Sequence, residues 1–300
     1  MKIRCKSMVP VISIGMPVYN GEATISQAIE SILGQTLANF ELIISDNFST
    51  DRTEEICRDY AVKDCRVRYI RQKKNIGASP NFKYALNQAR TQYFTWVAAD
   101  DVRSSNFLEV NINFLETNPE FIASTSPNCF ISDVDRTDYH INFSITGSEA
   151  QRIIKLLNCC WQSHGIFYSV IRTSHLRTYE GFGEYFLGFD WAIDLHIASR
   201  GPINRTRNGL IILGEHGASN RSSIWQSSRQ KKIELVLPFY QFSRFTLMHT
   251  KNLSLAEKTK IFFILLHLNI TALKQIIWTE VAIIYNKYIR PILVYLGLKK

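Results

Sequence analysis

Several familiar signatures are missing from this sequence. It has no G-x-x-x-x-G-K-[ST] loop, no G-x-G-x-x-G fingerprint and no H-E-x-x-H motif. Phosphate-loop hydrolases, dinucleotide enzymes and zinc proteases of the usual kinds are therefore set aside. A G-x-S-x-G elbow is absent too, so an esterase-type nucleophile has no support. The six cysteines, Cys5, Cys57, Cys65, Cys129, Cys159 and Cys160, contain no C-x-x-C pair. Their scatter argues against a zinc knuckle or a disulfide scaffold and predicts reduced thiols in a cytosolic setting. There is no fixed-period repeat and no low-complexity tract. The start, Met1–Pro10, is basic, but the apolar run Val11–Val18 is short and leads into Tyr19-Asn20-Gly21, so it does not read as a signal peptide. Acidic residues are scarce in one region only: residues 201–300 hold 4 Asp+Glu against 15 Lys+Arg, whereas residues 1–200 hold 22 against 20. The net charge of +9 therefore belongs to the last third, which is not the pattern of a uniform nucleic-acid-binding surface.

What is present is a chain of 300 residues, 46% hydrophobic, enough to bury a sizeable core. Its first hundred residues alternate strand and helix signals. Strands are predicted at Val11–Met16, Glu41–Ser45, Arg66–Arg71 and Tyr93–Val97, and helices at Thr24–Gln35, Asp51–Ala61 and Ser79–Ala89. Such spacing implies right-handed crossovers and an α/β fold with a mostly parallel central sheet flanked by helices. Ligands bind at the carboxyl ends of strands in such sheets, so Pro17–Asn20, Asp46–Ser49 and Asp100–Asp101 are expected to converge. Farther on, helices are predicted at Ser104–Asn118, Glu149–Cys160 and Trp191–Ser199, with extended pieces at Phe121–Ser126, Asn128–Asp133 and Asn208–Leu213. From Arg221 the pattern is helical.

Asp100-Asp101 directly follows the apolar strand YFTWV. Paired carboxylates there suit a hard divalent cation shared with substrate phosphates. An acidic helix start remains an equal reading of the residues alone.

Four ordered segments carry a resemblance. ISIGMPVYN (Ile12–Asn20), AIESILGQT (Ala28–Thr36), FELIISDNFSTDRT (Phe40–Thr53) and the pieces Asn75-Ile76-Gly77 and Phe94–Asp101 resemble the family 2 inverting glycosyltransferases of GT-A fold. The likeness is strong from about Val11 to Asn118 and weaker beyond. It implies the GT-A nucleotide-diphospho-sugar transferase fold over residues 1–220, with a nucleotide half at about 11–118 and an acceptor half at about 119–220. A basic amphipathic helical extension over 221–300 follows. Residue by residue, the resemblance puts Pro17 and Tyr19 at the nucleotide base, with Asp46 and Asn47 bonding to it. Asn75 and Gly77 edge the nucleotide site, Asp100 meets the ribose or the metal shell, and Asp101 coordinates Mn²⁺ or Mg²⁺ at the diphosphate. His216, in Glu215-His216-Gly217, is similar to a family histidine that approaches the metal. Two departures stand out: Ala98 where many members carry an acid, and Phe189 where the family has Glu before its base.

Inverting transfer needs a carboxylate to deprotonate the acceptor hydroxyl. The resemblance makes Asp190 that base, with Gly201 eleven residues later as in the family. Asp190 also qualifies as an N-cap of the following helix, and Asp194 is the fallback base. The loop Gly181–Gly188, with Phe182, Tyr185 and Phe186, is expected to stack on acceptor sugar faces. His164 is read as a turn residue or an acceptor contact.

In the tail, Ile261–Leu273 are thirteen residues without charge, interrupted by His267, Asn269 and Thr271. A membrane span needs about 20 predominantly apolar residues. Ile270, Leu273, Ile277, Val281, Ile284 and Tyr288 form a stripe flanked by lysines, and both a helical pair packed on the domain and a helix on an anionic membrane surface fit it. The Q-x-x-R-W signature of processive relatives is missing. The resemblance thus implies a metal-dependent enzyme that moves one sugar from a nucleotide-diphospho-sugar to a glycan or lipid-linked acceptor, with no nucleic-acid partner. The setting it implies is cell-surface polysaccharide or glycolipid biosynthesis, in the cytoplasm or peripheral at the inner face of the membrane. A catalytically inactive nucleotide-sugar or glycan-binding module is the alternative, raised by Ala98 and Phe189.

Overall fold

The computed structural model describes residues 9–133, 144–162, 165–183, 185–215 and 231–290. It divides into two units, one of residues 1–185 and 189–221, the other of residues 186–188 and 222–300. The first unit opens with β1 (Ile12–Val18), α1 (Ile25–Leu33), β2 (Phe40–Asp46), α2 (Thr53–Lys63), β3 (Val67–Arg71), α3 (Ala78–Gln88) and β4 (Tyr93–Trp96). It continues with β5 (Val102–Arg103), α4 (Phe107–Thr117), β6 (Ala123–Thr125), β7 (Asn128–Phe130), α5 (Glu149–Cys159), β8 (Val170–Arg172), α6 (Thr173–Leu176), α7 (Phe189–Arg200), β9 (Ile203–Arg205) and β10 (Ile211–Leu213).

Seven strands form one sheet in the order β3-β2-β1-β4-β8-β6-β9, and β5-β10-β7 form a second, smaller one. Pairing is parallel among β3, β2, β1 and β4, whereas β8 runs antiparallel to both β4 and β6. β1 is buried on both faces, as helix-covered parallel strands are: Ile12, Ile14, Met16 and Val18 line one face, Ser13 and Gly15 the other. α1 contributes Ile25, Ala28, Ile29 and Ile32, a three- and four-spaced stripe turned into the same core. α5 starts on a capping box in which Gln151 N donates to Ser148 Oγ and Ser148 N donates to Gln151 Oε1.

The strand–helix alternation of the first hundred residues agrees with the sequence reading to within a few residues at each end. Three short strands were not foreseen: β5, β8 and β9, with only two or three residues each, carry too little sequence to display a period. α7 begins at Phe189, two residues earlier than expected, so Asp190 sits inside its first turn and not at the N-cap. Cys65 is disulfide-bonded, which corrects the reading of all six cysteines as thiols; Cys57 and Cys159 are free thiols.

The second unit holds a short 3₁₀ turn at Lys232–Leu235, then α8 (Tyr240–His249) and α9 (Leu255–Ile284), which ends in a π turn at Tyr285–Ile289. α9 opens on a second capping box, Ser254 with Glu257. By length and composition α9 is apolar enough to cross a membrane.

Gly15 tests the packing of the central strand. A Cβ at this position would stand 2.7 Å from Phe94 Cζ and 3.1 Å from Ala85 Cβ. Gly15→Ala is expected to lower unfolding free energy by about 1–3 kcal/mol in urea titration. Gly183→Ala, with nothing within 4 Å of the added atom, is the control and is expected to change little.

Candidate active site

The carboxyl ends of β1 and β2 lie side by side, with Val18 opposite Asp46 in parallel register. Two turns leave these ends and are stitched together: Asn20 N donates to Ser49 Oγ at 2.9 Å, Gly21 N to Thr53 Oγ1 at 2.8 Å, and Asn47 N to Val18 O at 2.8 Å. Asn20 and Phe48 both take left-handed φ, +54° and +67°, so each turn reverses sharply at a non-glycine residue. Pro17 is half-buried and Tyr19 exposed, leaving the tyrosine ring at the crevice rim.

Asp46 and Asn47 divide the work at the end of β2. Asp46 is fully buried; its Oδ1 accepts from Ser49 N and Oγ, and its Oδ2 accepts from Tyr69 OH at 2.6 Å. Arg71 Nε stands 3.6 Å from the same carboxylate. Asp46 therefore shapes the turn from within. Asn47 reaches the other way, donating from Nδ2 to Asn75 Oδ1 at 2.9 Å and accepting from Ile76 N at 2.8 Å. Asn75 Oδ1 also accepts from Gly77 N, and Gly77 turns into α3 at φ +88°. The five residues from Asn47, Asn75 and Gly77 back to Pro17 and Tyr19 thus form one connected edge.

Asp100 and Asp101 follow β4, the neighbour of β1 on its other side. Their environments differ. Asp101 is buried, its Oδ1 accepting from Gly214 N at 3.0 Å and its Oδ2 lying 3.4 Å from Arg103 Nη2. Burial raises its pKa to about 6, against the pull of the Arg103 cation. Arg103 is itself wholly buried, its guanidinium 5.4 Å and 5.2 Å from the ring centres of Phe107 and Tyr168. Asp100 is half-exposed, and its Oδ2 is a buried oxygen with no hydrogen-bond partner among the described residues. A Cβ at Gly214 would stand 2.6 Å from that oxygen, so a side chain there would press on the carboxylate.

Asp190 is reached through an aromatic chain. Trp96 at the end of β4 stacks on Phe167 at 4.9 Å, meets Phe182 at 6.0 Å, and Phe182 meets Phe189 at 6.0 Å. Phe189 is buried, which gives the family departure at this position a physical reason: the ring anchors the start of α7 to the core. Asp190, the next residue, is open to solvent, yet protein surrounds it closely enough that desolvation raises its pKa. Tyr168 lies within electrostatic reach of Asp101, Asp100 and Asp190 together, and burial with these charges pushes its phenol well up. The two ends of the carboxylate set thus belong to one neighbourhood. Asp194, one turn farther along α7, is buried, and desolvation followed by the Asp190 charge holds its pKa well above the carboxylate range. It faces the interior, not the crevice.

Phe182 and Phe186 are buried, so they are not free to stack on a sugar, contrary to expectation. His216 and His164 lie outside the described residues. Three contributors were missed by sequence reading: Arg103, Tyr168 and Gly214. A lone arginine two residues after an acidic pair was the one signal available for the first.

Among the described residues no group of three or more His, Cys, Asp and Glu side chains surrounds a common point. Oxygen donors are nevertheless present in the unpartnered Asp100 oxygen and in Asp101, and a hard cation that takes one or two carboxylates with substrate phosphates fits such a set.

Residues 13–174, more than half of the chain, match the model for glycosyl transferase family 2, and the chain belongs to that family. Glycosyltransferase GlyG of Streptococcus pneumoniae serotype 4 is 30% identical over 145 residues, 47% of this chain and 46% of that protein. Minor teichoic acid biosynthesis protein GgaB of Bacillus subtilis is 29% identical over 155 residues, 49% of this chain and 17% of GgaB. The chain spans less than half the length of the curated relatives it matches. In fold it is similar to S. aureus TarS 1–349 in complex with UDP-GlcNAc, at a TM-score of 0.64 and 20% identity, over 83% of this chain and 70% of that one. The architecture is GT-A-like.

Removing the buried cation tests the electrostatics of the acid pair. Arg103→Leu leaves Asp101 buried without its partner, and a loss of about 3–5 kcal/mol in chemical denaturation is expected. Arg52→Leu, which breaks an exposed pair with Glu55, is expected to leave the midpoint unchanged.

Proposed function

We propose that this protein is an inverting, metal-dependent glycosyltransferase that moves a single sugar from a nucleotide-diphospho-sugar to a glycan or lipid-linked acceptor. The setting is cell-surface polysaccharide or glycolipid biosynthesis, on the cytoplasmic side and peripheral to the membrane. The observation that carries the reading is the pairing of a buried Asp100 oxygen, unpartnered among the described residues, after β4 with a solvent-open, pKa-raised Asp190 at the start of α7, joined through one aromatic core. The base edge consists of Pro17 and Tyr19, with Asn47 and Asn75 and the turn at Gly77; Asp46 holds that edge in shape. Asp100 and Asp101, with His216, would hold Mn²⁺ or Mg²⁺, and the cation would supply neutralisation of the charge that builds on the leaving diphosphate. Asp190 takes the acceptor hydroxyl proton as that oxygen attacks the anomeric carbon from the face opposite the leaving group. The TarS complex makes UDP-sugars the first donors to try.

Nucleotide release from a panel of nucleotide-sugars, with and without Mn²⁺, tests the reading across candidate acceptors. Metal-dependent turnover that Asp101→Ala abolishes is the expected result; binding without turnover for every donor and acceptor identifies a non-catalytic module. The pH profile is a separate check. Asp190 works as the carboxylate, and its pKa is raised. As pH falls through that raised value the group keeps its proton and kcat/KM drops. The acid limb should lie above the ordinary aspartate value of 3.8. Asp190→Asn is expected to cost about 10²–10⁴ in rate and to remove that limb.

A further inference from the structure

We propose that α9 seats lengthwise in the plane of an anionic lipid surface, through an apolar ridge bordered on both sides by lysines. The inference rests on the membrane-peripheral part of the function proposed above and names the surface that makes the contact. α9 has two apolar faces. One is turned inward and carries Ile261, Leu265, Leu268, Ala272 and Ile276. Polar bonds hold that face in place: Asn269 Oδ1 accepts from Phe239 N at 2.8 Å, and Asn269 Nδ2 donates to Ser243 Oγ of α8 at 3.0 Å.

The second face has no cover among the described residues. Phe262, Leu266, Ile270, Ile277, Val281 and Tyr288 recur at multiples of three and four residues and are all exposed. At about 100° per residue they line up along the side of the helix away from the packed stripe. Phe263 and Trp278, 61% and 73% exposed, widen the ridge. Beyond Ile276 no described side chain up to Arg290 is buried.

Charge selects the occupant. On the same wheel Lys258 and Lys287 fall on one border of the ridge, Lys260 and Lys274 on the other. Over residues 255–290 the acids are Glu257 and Glu280 alone. A second copy of the helix packed on this ridge would bring lysine against lysine, the reverse of the mixed charges that flank paired helices. Crossing the bilayer would strip the Asn269-bonded face from α8 and carry Lys274 into the hydrocarbon. Lying in the interface avoids both costs, since the ridge enters the acyl boundary while lysine stems reach back to phosphate headgroups.

The full-length chain is mixed with vesicles of phosphatidylcholine alone or of phosphatidylcholine and phosphatidylglycerol in equal parts, and binding is read by flotation. Binding to the anionic vesicles only is expected. The ridge variant Phe262→Ser/Ile270→Ser/Ile277→Ser and the border variant Lys260→Gln/Lys274→Gln/Lys287→Gln should each weaken it at least about tenfold. Lipids brominated in the acyl chain should quench a tryptophan signal that Trp278→Phe removes. If the border variant weakens binding and the ridge variant does not, attachment is purely electrostatic: the in-plane seat is overturned while the peripheral reading stands. Failure to bind any vesicle overturns both. Resistance to alkaline carbonate extraction would mean a spanning helix, and a lipid-independent dimer that only the ridge variant dissolves would mean a second copy; either overturns the proposal. Donor turnover, measured without vesicles, reports on the catalytic reading separately.

Discussion

Strands β1, β2 and β4 are covered on both faces, so their backbone and side chains meet water only where they end. That constraint decides where chemistry can sit. Polar residues within these strands are bonded inward: Ser13 to Glu41 and Ser45 to Asn81. The first side chains to reach water are those just past the carboxyl ends, Tyr19 and, in part, Asp100. The parallel register of β1 with β2 and β4 then lays these ends along one edge with no further device.

The start of α7 is tied to that edge by packing, not by sequence proximity. Trp96 belongs to β4, Phe167 to the approach to β8, and Phe182 and Phe189 to the approach and first turn of α7. Edge and stacked contacts of 4.9–6.0 Å run through all four. Such aromatic pairs add about 0.5–1.5 kcal/mol each beyond the area they bury, and they are directional. Phe189 fixes the helix start while Asp190 beside it stays open, so the family's usual acid at the Phe189 position has given way to an anchor. The acid pair after β4 is asymmetric for a comparable reason. Arg103 and Gly214 engage Asp101, and Asp100 is left with the unpartnered oxygen.

Legibility in the sequence followed element length. β1, β2 and α1 have seven to nine residues, enough for a buried run or a helical stripe to be read. The ends of those elements, and hence the strand-end edge, could be inferred with them. β6, β7 and β10, three residues each, were still found inside longer extended runs, whereas the equally short β8 and β9 were missed. Loop aromatics misled: Phe182 and Phe186 sit among glycines and looked free, yet their area is worth more in the core than on a sugar. Arg103 was invisible because a buried arginine is defined by its partners, Asp101 and the rings of Phe107 and Tyr168, which only the fold assembles. The basic tail was seen as a stripe, but its two faces separate only once the packed positions from Ile261 to Ile276 are known.

The central claim is a division of labour: the strand-end edge with Asp100 and Asp101 binds nucleotide and cation, and Asp190 acts only on the acceptor. Calorimetric titration of UDP, with and without Mn²⁺, into the wild-type chain and Asp190→Asn addresses it most directly. The expected result is Mn²⁺-strengthened binding of equal affinity in both proteins. Loss of nucleotide binding in Asp190→Asn, or binding indifferent to the cation in the wild type, would contradict the account.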